Sequence, residues 1–342
     1  MGVDLGSLVS KREINFDYLR GRVLAVDAFN TLYQFLSIIR GVDGSPLMDS
    51  RGRITSHLSG LLYRTANIIE NEIKPVFVFD GEPSKLKEKT REERKRIRTQ
   101  AEVKYKEALK EGKLEEARKY AQQAVKLSDE MIDEAKELLR LMGLPVVQAP
   151  SEGEAQAAIM ASRGKIYACA SQDYDALLFG APILVRNLTV TGKRKLPGRD
   201  VYIDIHPEEI SLEETLNSLG IDRKKLVWIA ILIGTDFNEK FPGIGPKKAL
   251  QLVKKHSSFE EIIKATGHEP EFDYREVEAI FLEPKYSEDF TIEFRMPDEE
   301  GLKRFLCDER NFSEERVSKA IEKIKAALQQ KGTQARLDAW FK

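Results

Sequence analysis

Four short stretches of the chain are mostly apolar: Arg22 to Ala28 (RVLAVDA), Lys74 to Asp80 (KPVFVFD), Lys165 to Ala170 (KIYACA) and Ala181 to Arg186 (APILVR). Their length and composition predict strands buried on both faces. Helical spacing fills the intervals, and strands separated by helices predict an α/β fold: a mainly parallel central sheet with helices on both faces. From Lys85 to about Gly143 the residues are largely Lys, Glu, Arg, Ala and Leu, with one Gly and no Pro before Gly143, so long helices broken at Gly112 are expected. Few apolar residues precede Gly112, which predicts a projecting helical insertion, loosely packed and adaptable. The segment Thr191 to Arg199 is marked by Gly and Pro as irregular. Further on, the apolar run Lys225 to Ile233 ends at Gly234, Thr235 and Asp236, and Phe241-Pro-Gly-Ile-Gly-Pro246 leads into another helix. That order spells a helix, a tight glycine turn and a helix. The last helix, Ser313 to about Gln329, is expected to give way at Gly332 to a short tail.

The totals narrow the class. With 342 residues, 42% hydrophobic and 32% charged, the chain has a soluble globular composition and can bury a sizeable core. No run of about 18 apolar residues is present, so no membrane segment is expected. Met1 to Ser10 lacks the basic-then-apolar order of a secretory signal, and two cysteines, Cys169 and Cys307, are too few for a disulfide framework. An intracellular protein is the expectation. The net charge of -1 speaks against a uniformly basic nucleic-acid binder, yet the totals of 55 basic and 56 acidic residues hide segregation. Between residues 85 and 98, Lys85, Lys87, Lys89, Arg91, Arg94, Lys95, Arg96 and Arg98 face only Glu88, Glu92 and Glu93. Alone, such a run is most simply a solvated helical face.

Seven carboxylates stand out by position: Asp27, Asp80, Glu152, Glu154, Asp173, Asp175 and Asp236. Each has a plain use of its own, as a turn residue, a helix cap or a partner of a helix dipole. Together they read differently, because sites in parallel sheets lie beyond the carboxyl ends of the strands, where Asp27, Asp80, Asp173 and Asp175 fall. Two carboxylates about 4 Å apart repel by roughly 4 kcal/mol at an effective dielectric of about 20. So many acids in one place require cations. An all-oxygen set without His or Cys selects hard ions, Mg²⁺ or Mn²⁺ rather than zinc. The natural use of two such ions is hydrolysis of a phosphate ester.

The motifs around these acids resemble those of flap endonucleases, the structure-specific 5′ nucleases of the XPG/FEN superfamily. The blocks are MGVDLGSL at the start, VDAFNTLYQFL around Asp27, GRITSHLSGLLYRT from Gly52, KPVFVFDGEP around Asp80, APSEGEAQA around Glu152, SQDYDALLFG around Asp173 and GTDFNEKFPGIGPKKAL around Asp236. They occur in order over essentially the whole chain, and its compact length looks archaeal in type, which would make the protein cytoplasmic. The resemblance implies a PIN-like 5′ nuclease fold in a single domain, 1–330. Within it would lie an N-terminal nuclease region (about 1–98), a helical arch (about 84–130) and an internal nuclease region (about 140–260) that includes a helix-turn-helix at 226–255. It also implies two Mg²⁺ ions, replaceable by Mn²⁺. Asp80, Glu152 and Glu154 would sit nearer one, Asp173, Asp175 and Asp236 nearer the other, and Asp27 would support the first. Lys87 and Arg94 match positions that contact the scissile phosphate, and their spacing of seven residues puts them on one helical face. Glu152, Gly234 and Asp236 match positions that meet the 5′ phosphate or flap strand. Tyr33 matches an aromatic that stacks on a base, Thr55 sits in a block resembling the pocket for a one-nucleotide 3′ flap, and Gly2 matches a position near the active site. The turn bearing Gly243, Gly245, Lys247 and Lys248 resembles the element that holds duplex backbone, with a K⁺ ion on its carbonyls. At Ala28-Phe29-Asn30 the chain departs from relatives that carry small residues there.

Gln334, Leu337, Trp340 and Phe341 fit Q-x-x-L-x-x-aromatic-aromatic, which resembles the box that docks on a sliding clamp of the PCNA type; residues 331–342 would be a flexible clamp-binding tail. Packing of Trp340 on its own domain is the plainer alternative. The expected activity is hydrolysis of the phosphodiester at the base of 5′ single-stranded flaps on branched DNA, in replication (Okazaki fragment maturation) and repair. Water is the expected nucleophile, with 5′–3′ exonuclease activity alongside, in an enzyme that is itself monomeric. The rivals are a noncatalytic clamp-associated adaptor, which would have lost an acid, a 5′ exonuclease or bubble nuclease of the same superfamily, and an RNA-cleaving relative.

Overall fold

The computed structural model describes residues 2–41, 43–190, 192–195 and 202–340, with the backbone alone described at 193–195, 202–203 and 330–340. Nine strands are present among them: β1 (Arg12–Glu13), β2 (Val23–Asp27), β3 (Lys74–Phe79), β4 (Val146–Gln148), β5 (Ala168–Ala170), β6 (Ile183–Arg186), β7 (Gly192–Lys195), β8 (Tyr202–Ile205) and β9 (Glu208–Ser211). Seven form one sheet in the order β1-β9-β6-β5-β2-β3-β4, and β7 pairs with β8 in a separate ribbon. The pairings β2–β3, β2–β5, β3–β4 and β5–β6 are parallel, whereas β9 runs antiparallel to both β6 and β1. All four expected strands are in the sheet. Of the Gly/Pro-marked segment, residues 192–195 form β7, while 191 and 196–199 lie outside the described residues.

The strand sequences are apolar throughout because both faces are covered. Along β3, Val76 and Val78 enter one core with the helix Arg223–Ile233, while Phe77 and Phe79 enter the other with the helices Ser56–Glu70, Asp129–Leu141 and Glu314–Trp340. Register then fixes where the acids emerge. Asp27 stands opposite Val78 and Val26 opposite Ala170, so Asp27, Asp80 and Asp173 leave neighbouring strands within a few residues of one another.

Between β3 and β4, Gly112 adopts φ 72° and divides the helices Glu88–Lys110 and Leu114–Gln123. The expected helices are there, and they pack chiefly on each other rather than on the core. Ala101, Ala108, Ala117 and Ala121 are all buried, a seam of small residues on which the two helices close against each other. Large apolar side chains in this unit face outward instead: Ile97 is 47% exposed and Val103 53%.

The chain end also differs from expectation. The last helix runs without interruption from Glu314 to Trp340, straight through Gly332. A single interior Gly costs a helix about 1 kcal/mol, which the surrounding Ala, Leu, Gln, Lys and Arg offset. Gln334, Leu337 and Trp340 lie on this helix at intervals of three, and Phe341 lies outside the described residues. Among the described residues, no helix is long and apolar enough to cross a membrane.

Gly143 ties the extended segment after residue 283 to the domain. It has φ 74°, its carbonyl accepts the Arg295 N–H at 2.9 Å, and a Cβ there would lie 2.1 Å from the Arg295 carbonyl oxygen. Gly143→Ala should therefore lower unfolding free energy by roughly 1–3 kcal/mol. Urea denaturation measures this, and an unchanged midpoint would contradict the close approach.

Candidate active site

Each acid is aimed by the element that ends or begins beside it. Asp27 closes β2 and caps the helix Ala28–Ile38, its Oδ1 accepting the Asn30 N–H at 3.0 Å. Asp80 follows β3 and accepts the Gly153 N–H at 2.7 Å. Gly153 is required there, since a Cβ would lie 2.7 Å from that same carboxylate oxygen. Glu152 occupies the N-cap position of the helix Gly153–Ser162 without making the cap hydrogen bond, and Glu154 stands in its first turn. Asp173 accepts from the Asn30 side-chain amide at 3.1 Å. Asp175 begins a short helix and takes the Val3 N–H at 2.8 Å, which draws the N-terminal segment into the site. A Cβ on Gly2 would lie 2.6 Å from Asp175 Oδ1 and 2.7 Å from Asp173 Cβ. Asp236 follows Gly234 (φ 93°) at the end of the helix Arg223–Ile233.

The seven acids form one electrostatic group. Asp27 feels Asp80 and Asp173; Asp80 feels Glu152 and Asp236; Glu154 feels Asp175, Asp27 and Asp173; Asp175 feels Asp173 and Asp236. For Asp27, Asp80, Glu154 and Asp175, burial is the main reason that the carboxyl group holds its proton more tightly, and the neighbouring anions add to it. Asp27 is pushed up to about 8, Asp175 to about 7 and Asp80 to about 6. Glu154 is raised well above the usual carboxylate range, and its Oε1 is buried without a hydrogen-bond partner.

Two cations from the segment after β3 answer this charge. Lys87 pairs with Glu152 and lies over the Phe237 ring at 5.0 Å. Burial alone would lower its pKa, but Glu152, Asp236 and Asp80 outweigh burial and raise it. Arg94 donates to Asp236 Oδ1 at 2.5 Å. The two cations thus serve one site although Lys87 sits in a 3₁₀ turn and Arg94 in the helix that follows. Among the described residues, no three His, Cys, Asp or Glu side chains stand in an arrangement that would itself hold a metal ion. The donor set nonetheless suits a hard divalent cation: it is all oxygen, half-buried around a buried Asp175, and includes an orphaned carboxylate oxygen.

The remaining expected residues are distributed around this centre. Tyr33 is half-buried in the helix Ala28–Ile38, next to the acid-bearing end of β2. Thr55 is buried before the helix Ser56–Glu70, and its N–H goes to the Leu47 carbonyl at 2.7 Å. Gly243, Gly245, Lys247 and Lys248 are exposed in the turn that opens the helix Pro246–Lys255. Neither Thr55 nor this turn makes a hydrogen bond or ion pair with the acids. Sequence reasoning did not assign Asn30, which bonds to both Asp27 and Asp173. The signal was its position three residues after Asp27, where a helix-capping acid finds its N–H donor.

Comparison with known proteins agrees with the geometry. Residues 1–101 match the XPG N-terminal domain and residues 143–236 the XPG I-region. The chain is 54% identical over 342 residues to flap endonuclease 1 of Pyrococcus abyssi, covering 100% of this chain and 98% of that protein. To flap endonuclease 1 of Archaeoglobus fulgidus it is 53% identical, with 100% of both covered. Among solved structures, flap endonuclease-1 from Methanococcus jannaschii is similar with a TM-score of 0.77 and 44% identity over 96% of this chain and 100% of that one. The catalytic core of Rad2 in complex with DNA substrate shares the fold at a TM-score of 0.70 and 22% identity. Matched at both nuclease regions and along its whole length, the chain belongs to the flap endonuclease family.

Proposed function

We propose that this protein cuts the phosphodiester at the base of a 5′ single-stranded DNA flap with two Mg²⁺ ions, for which Mn²⁺ substitutes. Nucleases of this family depend on divalent cations. The observation that carries the reading is the convergence of seven acids on one sheet edge together with Lys87 and Arg94. Asp80, Glu152 and Glu154 would hold one ion and Asp173, Asp175 and Asp236 the other, with Asp27 supporting the first. When bound, such ions supply activation of water, orientation of the phosphate and stabilisation of developing charge.

The chain's own residues do the rest. Glu152, Gly234 and Asp236 lie where the flap strand and its phosphate meet the site, and Tyr33 offers an aromatic face for a base, worth roughly 1–3 kcal/mol. Lys87 and Arg94 are held by acids of the site and so are placed to take phosphate oxygens, neutralising charge that builds up during hydrolysis. Thr55 and the loop before it would receive a 3′ flap nucleotide. The exposed turn with Gly243, Gly245, Lys247 and Lys248 would grip duplex backbone, with K⁺ as the ion its carbonyls would take. The helices from Glu88 to Gln123 would form an arch over the flap. Gln334, Leu337, Trp340 and Phe341 would dock the monomeric enzyme on a sliding clamp, the first three sharing one side of the terminal helix by their spacing.

In Mg²⁺ the 5′ flap should be cut faster than a nicked duplex or a bubble, and Asp175→Asn should lose cleavage while duplex binding stays measurable. Lys87→Met should slow cleavage about 10²–10³-fold. Full activity of Asp175→Asn would end the metal assignment. Removing metal should make stability pH-dependent. Asp27 rises from 3.8 to about 8 on folding, so the folded state binds more protons between those values, and stability of the EDTA-treated protein should fall as pH rises from about 4 to about 8. Mg²⁺ should then raise Tm more at pH 8 than at pH 6, and equal shifts would contradict this account. Deleting residues 331–342 should abolish stimulation of cleavage by the clamp and leave unstimulated cleavage intact; stimulation that survives deletion would refute the docking role.

A further inference from the structure

The turn Gln172–Asp175 carries two of the acids, Asp173 and Asp175, and one guanidinium holds it from below. Arg186, the last residue of β6, donates from Nε to the Gln172 carbonyl at 3.0 Å and from Nη1 to the Tyr174 phenol oxygen at 2.7 Å. Its plane also lies over the Tyr174 ring at 4.4 Å. On the far side Nη1 reaches Glu208 at 3.2 Å, and Arg186 and Glu208 are register partners in the β6–β9 ladder. The guanidinium is therefore fixed by the sheet and in turn fixes both the residue before Asp173 and the residue between the two acids. Tyr174 is 7% exposed and belongs to the apolar core, so its ring cannot shift without repacking.

We propose that Arg186 is a positioning residue for metal binding: through Tyr174 and the Gln172 carbonyl it sets the spacing and direction of Asp173 and Asp175. The inference rests on the reading of those acids as metal ligands. The chemistry favours arginine specifically. Three simultaneous demands, a carbonyl, a phenol oxygen and an aromatic face, suit a planar fork of donors that also stacks, whereas a lysine ammonium supplies only a point charge. Groups that orient metal ligands from behind commonly change metal affinity 10–100-fold when they are altered. A role confined to general stability would instead lower Tm and leave the metal requirement unchanged.

The test uses the full chain in wild-type form and as R186K, R186Q, Y174F and D175N. Three quantities are measured: Mn²⁺ binding by titration calorimetry without DNA, the Mg²⁺ concentration for half-maximal flap cleavage, and Tm in EDTA. R186K and R186Q should each weaken Mn²⁺ binding and raise the Mg²⁺ requirement about 10-fold or more, with excess metal restoring most of the rate. Y174F, which loses the phenol acceptor and keeps the ring, should shift both in the same direction by less. Wild-type Mn²⁺ affinity in R186K and R186Q, with binding lost in D175N, would overturn the positioning role and leave the metal reading standing. Wild-type affinity in D175N would sink both. Should R186Q fail to fold, R186K and Y174F decide the matter, and unchanged affinity in both would overturn the proposal.

Discussion

Mutual repulsion among closely gathered, half-buried carboxylates is the constraint around which the rest of the molecule is organised. A fold that gathers seven acids from five separate segments works against its own electrostatics, and three devices offset the penalty. Backbone N–H groups of Asn30, Gly153 and Val3 point at Asp27, Asp80 and Asp175. Lys87 and Arg94 bring positive charge from outside the sheet. Burial and neighbouring anions also make carboxyl groups such as that of Glu154 hold their protons more tightly than usual, which lessens the charge they carry. Together these allow the charges to sit close to one another.

The scaffold that makes the convergence possible is simple. Parallel pairing in register brings the ends of β2, β3 and β5 to one edge, and each strand hands its acid to the loop or helix that follows. Helices on both faces then make the strands apolar along their whole length, leaving the loops at that edge as the place where charge is tolerated. Glycines at 2 and 153 let backbone approach the carboxylates to distances that a side chain would forbid.

Much of this was legible in the chain, for physical reasons that differ from element to element. β2, β3, β5 and β6 could be read because burial on two faces writes an unbroken apolar run. β4 has three residues and β1 two, too short to carry a pattern. β9, with the sequence EEIS, looks like a polar loop, and only its pairing with β6 and β1 makes it a strand. The acids were legible as a set because they stand at or just after the ends of strands and helices that a parallel sheet brings to one edge. Arg186 was not, because its importance lies in a carbonyl and a ring brought to it by folding. The alanine seam of the helical insertion was missed for a related reason: small residues add little to hydrophobicity, yet they decide how closely two helices approach. At the chain end, Gly332 suggested a break that the helix-forming neighbours overrode.

The pairing of Lys87 with Glu152 and of Arg94 with Asp236 has a consequence for how the enzyme is loaded. These side chains are tethered counter-ions, so on the proposed function the arrival of small cations and of DNA would be an ion exchange rather than a simple addition. On the proposed function, an acid engaged by a divalent ion would release its lysine or arginine for phosphate, and a phosphate that captured the released group would leave the acid free for the ion. Substrate and metal should thus recruit one another, with the two long side chains as the shared currency of the transaction.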